Sequence, residues 1–434
     1  VIRPRRLGVD LAPLRASPAY RRLFAFGAVD TLAAQATNVN LMFQLKTLTH
    51  SALDVGALGL VELAPIVLGG LYGGVVADHH DRRRVAVATE LAMVAVVAAM
   101  LANAEATHPR VVVIYLAAAA LATFNALQGP SVTALIQQLV PPDRQRQGAT
   151  LEMVRATGAS ILGPGVGGLV AVTVGPAAVY GGVLASFAAT LGLLVGVQAS
   201  RRAGSAGGGL GALVEGARYA ASRPDVLGTY VIDLVAMTFA YPVALLPFVA
   251  GRFHATYALA LLYCGLPTGA LVASISARWT GAVSHYGRAI AAAATVWGLG
   301  IALFGAAGSL ALAFGGLVVA GAADAISGIF RMTMWNGSIP LGVRGRMSGI
   351  EALSYSVGPA VGQFRVGVMA AATSTRVSLV AGAAACAGGC ASLPMALRSL
   401  WRFDARSDAH VAAVRAQRRG EFDRAGGSSG PSTL

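Results

Sequence analysis

The sequence predicts an all-α membrane protein in which twelve transmembrane helices form two pseudo-symmetric six-helix bundles. Three observations lead there. The 434 residues are 56% hydrophobic and 12% charged, with a mean hydropathy of +0.65, far too apolar for an ordinary soluble protein. A spanning helix needs about 20 apolar residues, and twelve such stretches occur, at 23–45, 53–77, 85–103, 111–131, 150–172, 175–198, 226–250, 257–279, 288–307, 310–331, 347–371 and 377–400. Patterns from the first half also return roughly 200 residues later: Arg144 and Arg146, Glu152, then Gly163-Pro164 and Gly167 find partners in Arg344 and Arg346, Glu351, then Gly358-Pro359 and Gly362.

Charge sets the orientation. Cytoplasmic segments gather Lys and Arg. With the N-terminus inside, 28 of the 33 basic residues fall on the inner side, Arg331 among them as part of an inner loop. Four lie outside (Lys46, Arg110, Arg252 and Arg376) and Arg365 is buried. Both termini are therefore expected in the cytoplasm of a multi-pass plasma-membrane protein. The net charge of +14 is accounted for by anionic lipid, so no nucleic-acid partner is expected. Residues 1–20 lack an apolar core segment, so no cleavable leader is expected. Cys264, Cys386 and Cys390 lie within apolar runs, which points to packing rather than metal binding or a disulfide. With no phosphate-loop sequence, metal-ligand cluster or serine-nucleophile elbow, neither a cofactor nor an enzymatic activity is expected.

In chain order, an arm (1–22) ends in Tyr20-Arg21-Arg22, an interfacial anchor. The first span is unusually polar. Asp30, Thr37 and Gln44 recur every seven residues as one stripe, flanked by Asn38 and Asn40, and such a stripe should line an aqueous cavity. The second span carries Glu62 near its middle and Pro65 one turn later. After it, Gly73-Gly74, Asp78 and Arg82-Arg83-Arg84 make a tight hinge at the membrane face. The glycines allow close helix approach, Asp78 can accept from backbone N–H groups at a facing helix N-terminus, and the arginines can latch it. The alternative is a solvated basic loop that only orients the chain.

The fifth span holds Gly163-Pro164-Gly165-Val166-Gly167-Gly168, which packs backbones closely and bends the helix; a purely packing role is the alternative. These spans make the first bundle (23–198). A linker (199–224) opens with the Gly/Ser-rich Arg201–Gly211 and continues as a surface helix, before the second bundle (225–400) and a mostly disordered tail (401–434).

Ionisable groups in a bilayer cost at least a few kcal/mol each, so each asks for a reason. Asp30 lies about 12 Å along its helix at 1.5 Å per residue, Asp233 is at a similar depth in the seventh span, and Asp324 is about 10 Å from the inner end of the tenth. A carboxylate in a partly dry cavity can gain and lose a proton as the cavity faces alternate solutions. Asp30 is the preferred coupling site because the polar stripe surrounds it. The alternative is that each aspartate caps a kink or bonds to backbone.

At Gly74, Asp78, Arg82 and Arg83 the chain resembles the major facilitator superfamily, whose signature reads glycine, three residues, aspartate, then basic residues. His79 stands where the family has a basic residue and Asp81 where it has a second glycine, which should weaken the turn. Gly163-Pro164 with Gly167-Gly168 resembles the fifth-helix signature of antiporter-type facilitators. Four further stretches look like the enterobactin exporter family: Thr49-His50-Ser51 followed by Val55-Gly56; Glu215-Gly216-Ala217-Arg218-Tyr219; Leu262-Tyr263 through Pro267, with His285 and Arg288; and Gly345-Arg346-Met347-Ser348-Gly349. The resemblance runs through nearly all of 20–395.

The resemblance implies that spans 1, 4, 7 and 10 line a central cavity, so that Asp30, Asp233 and Asp324 would meet around one space. It also implies that spans 2 and 11 touch, so that Glu62 and Arg365 would close an outer gate. The alternative is an Arg365 that snorkels to the headgroups. The function implied is secondary active, proton-coupled export of a siderophore-like or amphiphilic small molecule by alternating access, from a monomer in the bilayer. Acids in the cavity favour cations or neutral amphiphiles, which keeps a multidrug efflux pump as the alternative. A non-transporting receptor or scaffold on the same fold is the third reading.

Overall fold

The computed structural model describes residues 11–140, 144–196 and 210–424, and among these all regular structure is helical. The start of the arm (1–10), the Gly/Ser-rich part of the linker (197–209) and the end of the tail (425–434) lie outside the described residues.

The helices start and stop where local chemistry dictates. A short α1 (Ala12–Ala16) precedes α2 (Pro18–Thr49), whose first turn is capped by Ser17 accepting from the Tyr20 N–H at 3.1 Å. His50, left-handed at φ 54°, ends α2, and Ser51 caps α3 (Ala52–His79) by accepting from the Asp54 N–H at 3.2 Å. The Thr-His-Ser step is thus a stop followed by a start. Asp81 then caps α4 (Arg82–Glu105), its Oδ1 accepting from the N–H groups of Arg83 and Arg84 at 3.0 and 3.1 Å. Expected to weaken the turn, Asp81 instead begins the next helix, because a carboxylate at that position satisfies donors that glycine would leave open. The helices α5 (Val111–Leu139), α6 (Gln145–Thr173) and α7 (Pro176–Val195) follow.

A linker helix α8 (Leu210–Ser222) leads to α9 (Pro224–Ala240), short α10 (Leu246–Ala250), α11 (Ala258–Ser276), α12 (Tyr286–Ala306), α13 (Leu310–Ser338), α14 (Leu341–Ala372) and α15 (Thr375–Ala396). Among the described residues ten helical segments are long and apolar enough to cross a membrane. The 32-residue α2 and α14 are not among those ten; their polar side chains lower the average.

The chain separates into two compact units. The first is Val1–Gly207 with Pro242–Pro267 and Gly367–Thr375; the second is Gly208–Tyr241, Thr268–Val366 and Arg376–Leu434. Two segments from late in the chain therefore belong to the first unit. They pack at the end that carries the His50 turn, where the Tyr263 hydroxyl lies 3.3 Å from the Met42 sulfur. In α6, Gly163 and Gly167 face α2, while Gly165 and Gly168 face Cys264 and Ala260 of α11. A methyl group on Gly167 would lie 2.6 Å from the Ala36 Cα, so the backbones meet there only because the side chain is missing.

The tail departs from the disorder expected of it up to Arg424. Short α16 (Arg398–Arg402) leads to α17 (Ala409–Arg424), which buries Val411 and Val414. Arg418 donates to the carbonyls of Asn336 and Ile339 at 2.6 Å each, and His410 Nε2 donates to that of Ser338 at 2.9 Å. These carbonyls end α13 and have no partner within their own helix, which is why cationic side chains dock on them.

Candidate functional site

Each unit holds its own buried ionic cluster. In the first, α2 brings Asp30 and Thr31 toward α6, which supplies Glu152 and Arg155 three residues apart on one face. Arg155 Nε donates to Glu152 Oε2 at 2.8 Å and Nη1 donates to the Thr31 hydroxyl at 2.9 Å. Gly27 makes room, since a methyl group there would meet Arg155 Nη1 at 2.8 Å. A cavity of about 400 Å³ opens beside the cluster, walled by Asp30, Asn125, Gln128, Glu152 and Arg155. Asp30 Oδ1 is buried without a hydrogen-bond partner.

A second cavity of about 350 Å³ is lined by Thr37, Asn38, Glu62 and Asn125, with Phe187. Asn125 of α5 lines both. The polar stripe of α2 therefore divides its labour. Asp30, Thr37 and Asn38 reach cavities, whereas Gln44 accepts from the Tyr180 hydroxyl at 2.7 Å and Asn40 donates to the Pro176 carbonyl at 3.0 Å, both fastening α2 to the start of α7. Glu90 of α4 is wholly buried, accepting from Gln128 Nε2 at 2.9 Å and from the Thr190 hydroxyl.

In the second unit Asp233 of α9, Asp324 and Arg331 of α13, and Ser354 and Tyr355 of α14 come together. Arg331 is only 3% exposed; its Nη1 pairs with Asp233 and its Nη2 lies 3.7 Å from Asp324. Asp233 also accepts from the Ser354 hydroxyl at 3.1 Å. The Arg331 guanidinium lies 5.4 Å from the centre of the Tyr355 ring, Trp335 meets Tyr355 edge to face, and Tyr230 stacks on Trp335. Counted by sequence with an inner loop, Arg331 sits inside the bundle because α13 runs on to Ser338.

The remaining expected residues are placed as follows. Arg83 donates to the Val195 carbonyl at 2.5 Å, so this arginine ties α4 to the end of α7. Gly74, Asp78 and Arg82 are helical, and the surroundings of Gly74 and of the Asp78 side chain lie outside what the structure describes. Pro164 lies inside α6 without ending it. Glu62 belongs to the first unit and Arg365 to the second, where Arg365 Nε donates to the Thr238 carbonyl at 3.0 Å. Glu90, Gln128, Arg155 and Arg331 were not among the expected site residues. Their signal was present: a lone carboxylate in an apolar run, and an arginine seven residues, one helix face, after Asp324.

Ten apolar crossing segments among the described residues, with acid–arginine pairs set between them, define a multi-pass membrane protein. The transmembrane secretion effector family matches residues 9–423, and the chain belongs to it, within the major facilitator superfamily; it is not an enzyme. It is 26% identical over 373 residues to the enterobactin exporter EntS of Shigella boydii serotype 18 and equally to that of Escherichia coli O139:H28, covering 84% of this chain and 88% of each relative. Among solved structures it is similar to the nucleoside transporter NupG, with a TM-score of 0.70 at 14% identity over 89% of this chain and all of that one. It is also similar to a bacterial homolog of the human lysosomal transporter Spinster, inward-facing and unoccupied, with a TM-score of 0.63 at 14% identity over 93% and 97% of the two chains. At those identities the structures speak for the fold alone.

Proposed function

We propose that this chain exports a siderophore-like or amphiphilic small molecule across the plasma membrane in exchange for protons. The observation that carries the reading is Asp30: an acid whose Oδ1 is buried without a hydrogen-bond partner, beside a cavity and an arginine already engaged elsewhere. Such a carboxylate is ready to take up a proton from whichever solution its cavity faces. In this reading α2 and α14 also span, giving twelve helices in two six-helix bundles of a monomer, with both termini in the cytoplasm. The arginine excess on one side supports that orientation. Asp78 with Arg82 and Arg83 latches the cytoplasmic face, and Glu62 pairs with Arg365 when the outer gate closes. The kinship with enterobactin exporters supports the siderophore-like cargo.

Efflux of cationic or neutral drugs is the second reading, favoured by the acids at 30, 62, 233 and 324. Deleting the gene separates the two. Loss of siderophore secretion under iron limitation with unchanged drug susceptibility supports the first, and the reverse supports the second. No change in either, with the protein present in the membrane of the parent strain, contradicts export of both.

A further inference from the structure

The seventh span is broken. Pro224–Phe253 is apolar over enough length to be one crossing segment, yet α9 stops at Ala240, and a single 3-10 turn at Val243–Leu245 comes before α10. Pro242 is the cause. An α-helix closes when the N–H of each residue donates to the carbonyl four before it, so the Thr238 carbonyl would need a donor at 242, where proline has none. A backbone carbonyl left unmet inside an apolar segment is costly, so another donor has to come from a neighbouring helix.

Arg365 of α14 is that donor, with Nε 3.0 Å from the Thr238 carbonyl. Glycines on two helices make the approach possible. A methyl group on Gly358 would lie 2.9 Å from Met237 Cβ, and one on Gly362 would meet the Met237 carbonyl, so α14 rests directly on α9 one turn before Arg365. In α15, a methyl group on Gly382 would lie 2.7 Å from Arg365 Nη1. The first half of the chain is the comparison. Gly163 and Gly167 of α6 face α2 as Gly358 and Gly362 face α9, and the repeat puts Val170 where the second copy has Arg365. There α2 runs unbroken for 32 residues, with no proline past its first turn. An arginine thus stands in the copy whose partner helix lacks an N–H, and a valine in the copy whose partner lacks none.

We infer that Arg365 is the positioning residue of a hinge at Tyr241–Pro242: its Nε stands in for the N–H that Pro242 lacks and keeps the seventh span broken at one fixed place. Membership of the chain passes from the second unit to the first at this same bond. A continuous helix would make the segment on either side a single rod, whereas a break whose carbonyl is met by a side chain bends without exposing backbone. That the span flexes there during transport rests on the alternating-access reading; the donor role does not. The bond to Thr238 uses Nε, so the pairing with Glu62 proposed for the closed gate would use the terminal nitrogens.

The test is a double-variant cycle on the full-length protein in detergent, read by thermal unfolding and by hydrogen exchange. Arg365→Met is expected to lower the unfolding midpoint by about 2–4 °C and to speed exchange in the last turn of α9. Pro242→Ala gives the Thr238 carbonyl a backbone donor. In that background the same change lowers the midpoint less than half as far, and exchange of amides 243–246 slows about tenfold as the span becomes continuous. Arg365→Lys keeps a charge and a donor; its smaller loss is likewise removed by Pro242→Ala, and this pair carries the test if Arg365→Met does not insert. Equal loss from Arg365→Met with and without Pro242 overturns the inference, because packing does not depend on a missing N–H. No loss in either background overturns it too, and leaves Arg365 to the headgroups. Rescue by Glu62→Gln but not by Pro242→Ala overturns it in favour of the outer gate. The cycle needs no cargo, so its outcome stands whether or not gene deletion changes siderophore secretion or drug susceptibility.

Discussion

The two units use the same ingredients, an arginine beside aspartate or glutamate, to opposite ends. In the first, Arg155 is 14% exposed and is engaged by Glu152 and Thr31, so Asp30 is left at a cavity wall. In the second, Arg331 is 3% exposed and is itself the link between two carboxylates on different helices. Burial decides the difference. Asp30 borders a cavity and has no ion-pair partner to lose, whereas the dry Arg331–Asp233 pair resists change because removing one partner strands the other. One cluster leaves an acid at a cavity wall, and the other ties two helices of its unit together through one arginine.

The largest expected effect probes the dry cluster. Arg331→Gln leaves Asp233 buried without its partner and should cost about 3–5 kcal/mol, seen as a lowered unfolding midpoint in detergent; adding Asp233→Asn should recover most of it. An equal loss in the double variant would mean that Arg331 matters for shape rather than charge. Next is the helix approach in the first unit. Gly167→Ala drives a methyl group into the Ala36 backbone and should cost about 1–3 kcal/mol. Gly158→Ala, with open space around the added carbon, should instead stabilise α6 by about 0.5–1 kcal/mol. Thermal unfolding of both variants side by side separates crowding from helix propensity. Asp81→Ala removes the α4 cap and should cost about 1 kcal/mol, measurable as faster proteolysis at the hairpin. Asp30→Asn should be the mildest for stability, within about 0.5 kcal/mol, because its Oδ1 has no hydrogen bond to lose.

Much of the helical plan was legible. The apolar runs read as beginning at 53, 111, 175, 226 and 310 start within two residues of α3, α5, α7, α9 and α13. The acids at 30, 62, 233 and 324 stood out too, each a costly exception in an apolar run. The arginines did not. Counting Arg and Lys for orientation assigns every basic residue near a span boundary to a loop, yet Arg155 lies about three turns inside α6 and Arg331 about two turns before the end of α13. Long helices that overrun their apolar stretch carry charge inward, and hydropathy reads those turns as loop. Glu90 escaped notice because one acid barely lowers the average of a run from Val85 to Leu101; its partners Gln128 and Thr190 lie on other helices and only the fold brings them together.

The account turns on Asp30 changing charge as cargo moves. The most direct measurement is flux in proteoliposomes under an imposed pH gradient, comparing the parent protein with Asp30→Asn at equal, correctly folded incorporation. Gradient-driven accumulation of cargo in the parent, lost in Asp30→Asn while gradient-independent exchange of cargo persists, is the predicted result. Gradient-driven accumulation undiminished in Asp30→Asn would contradict it.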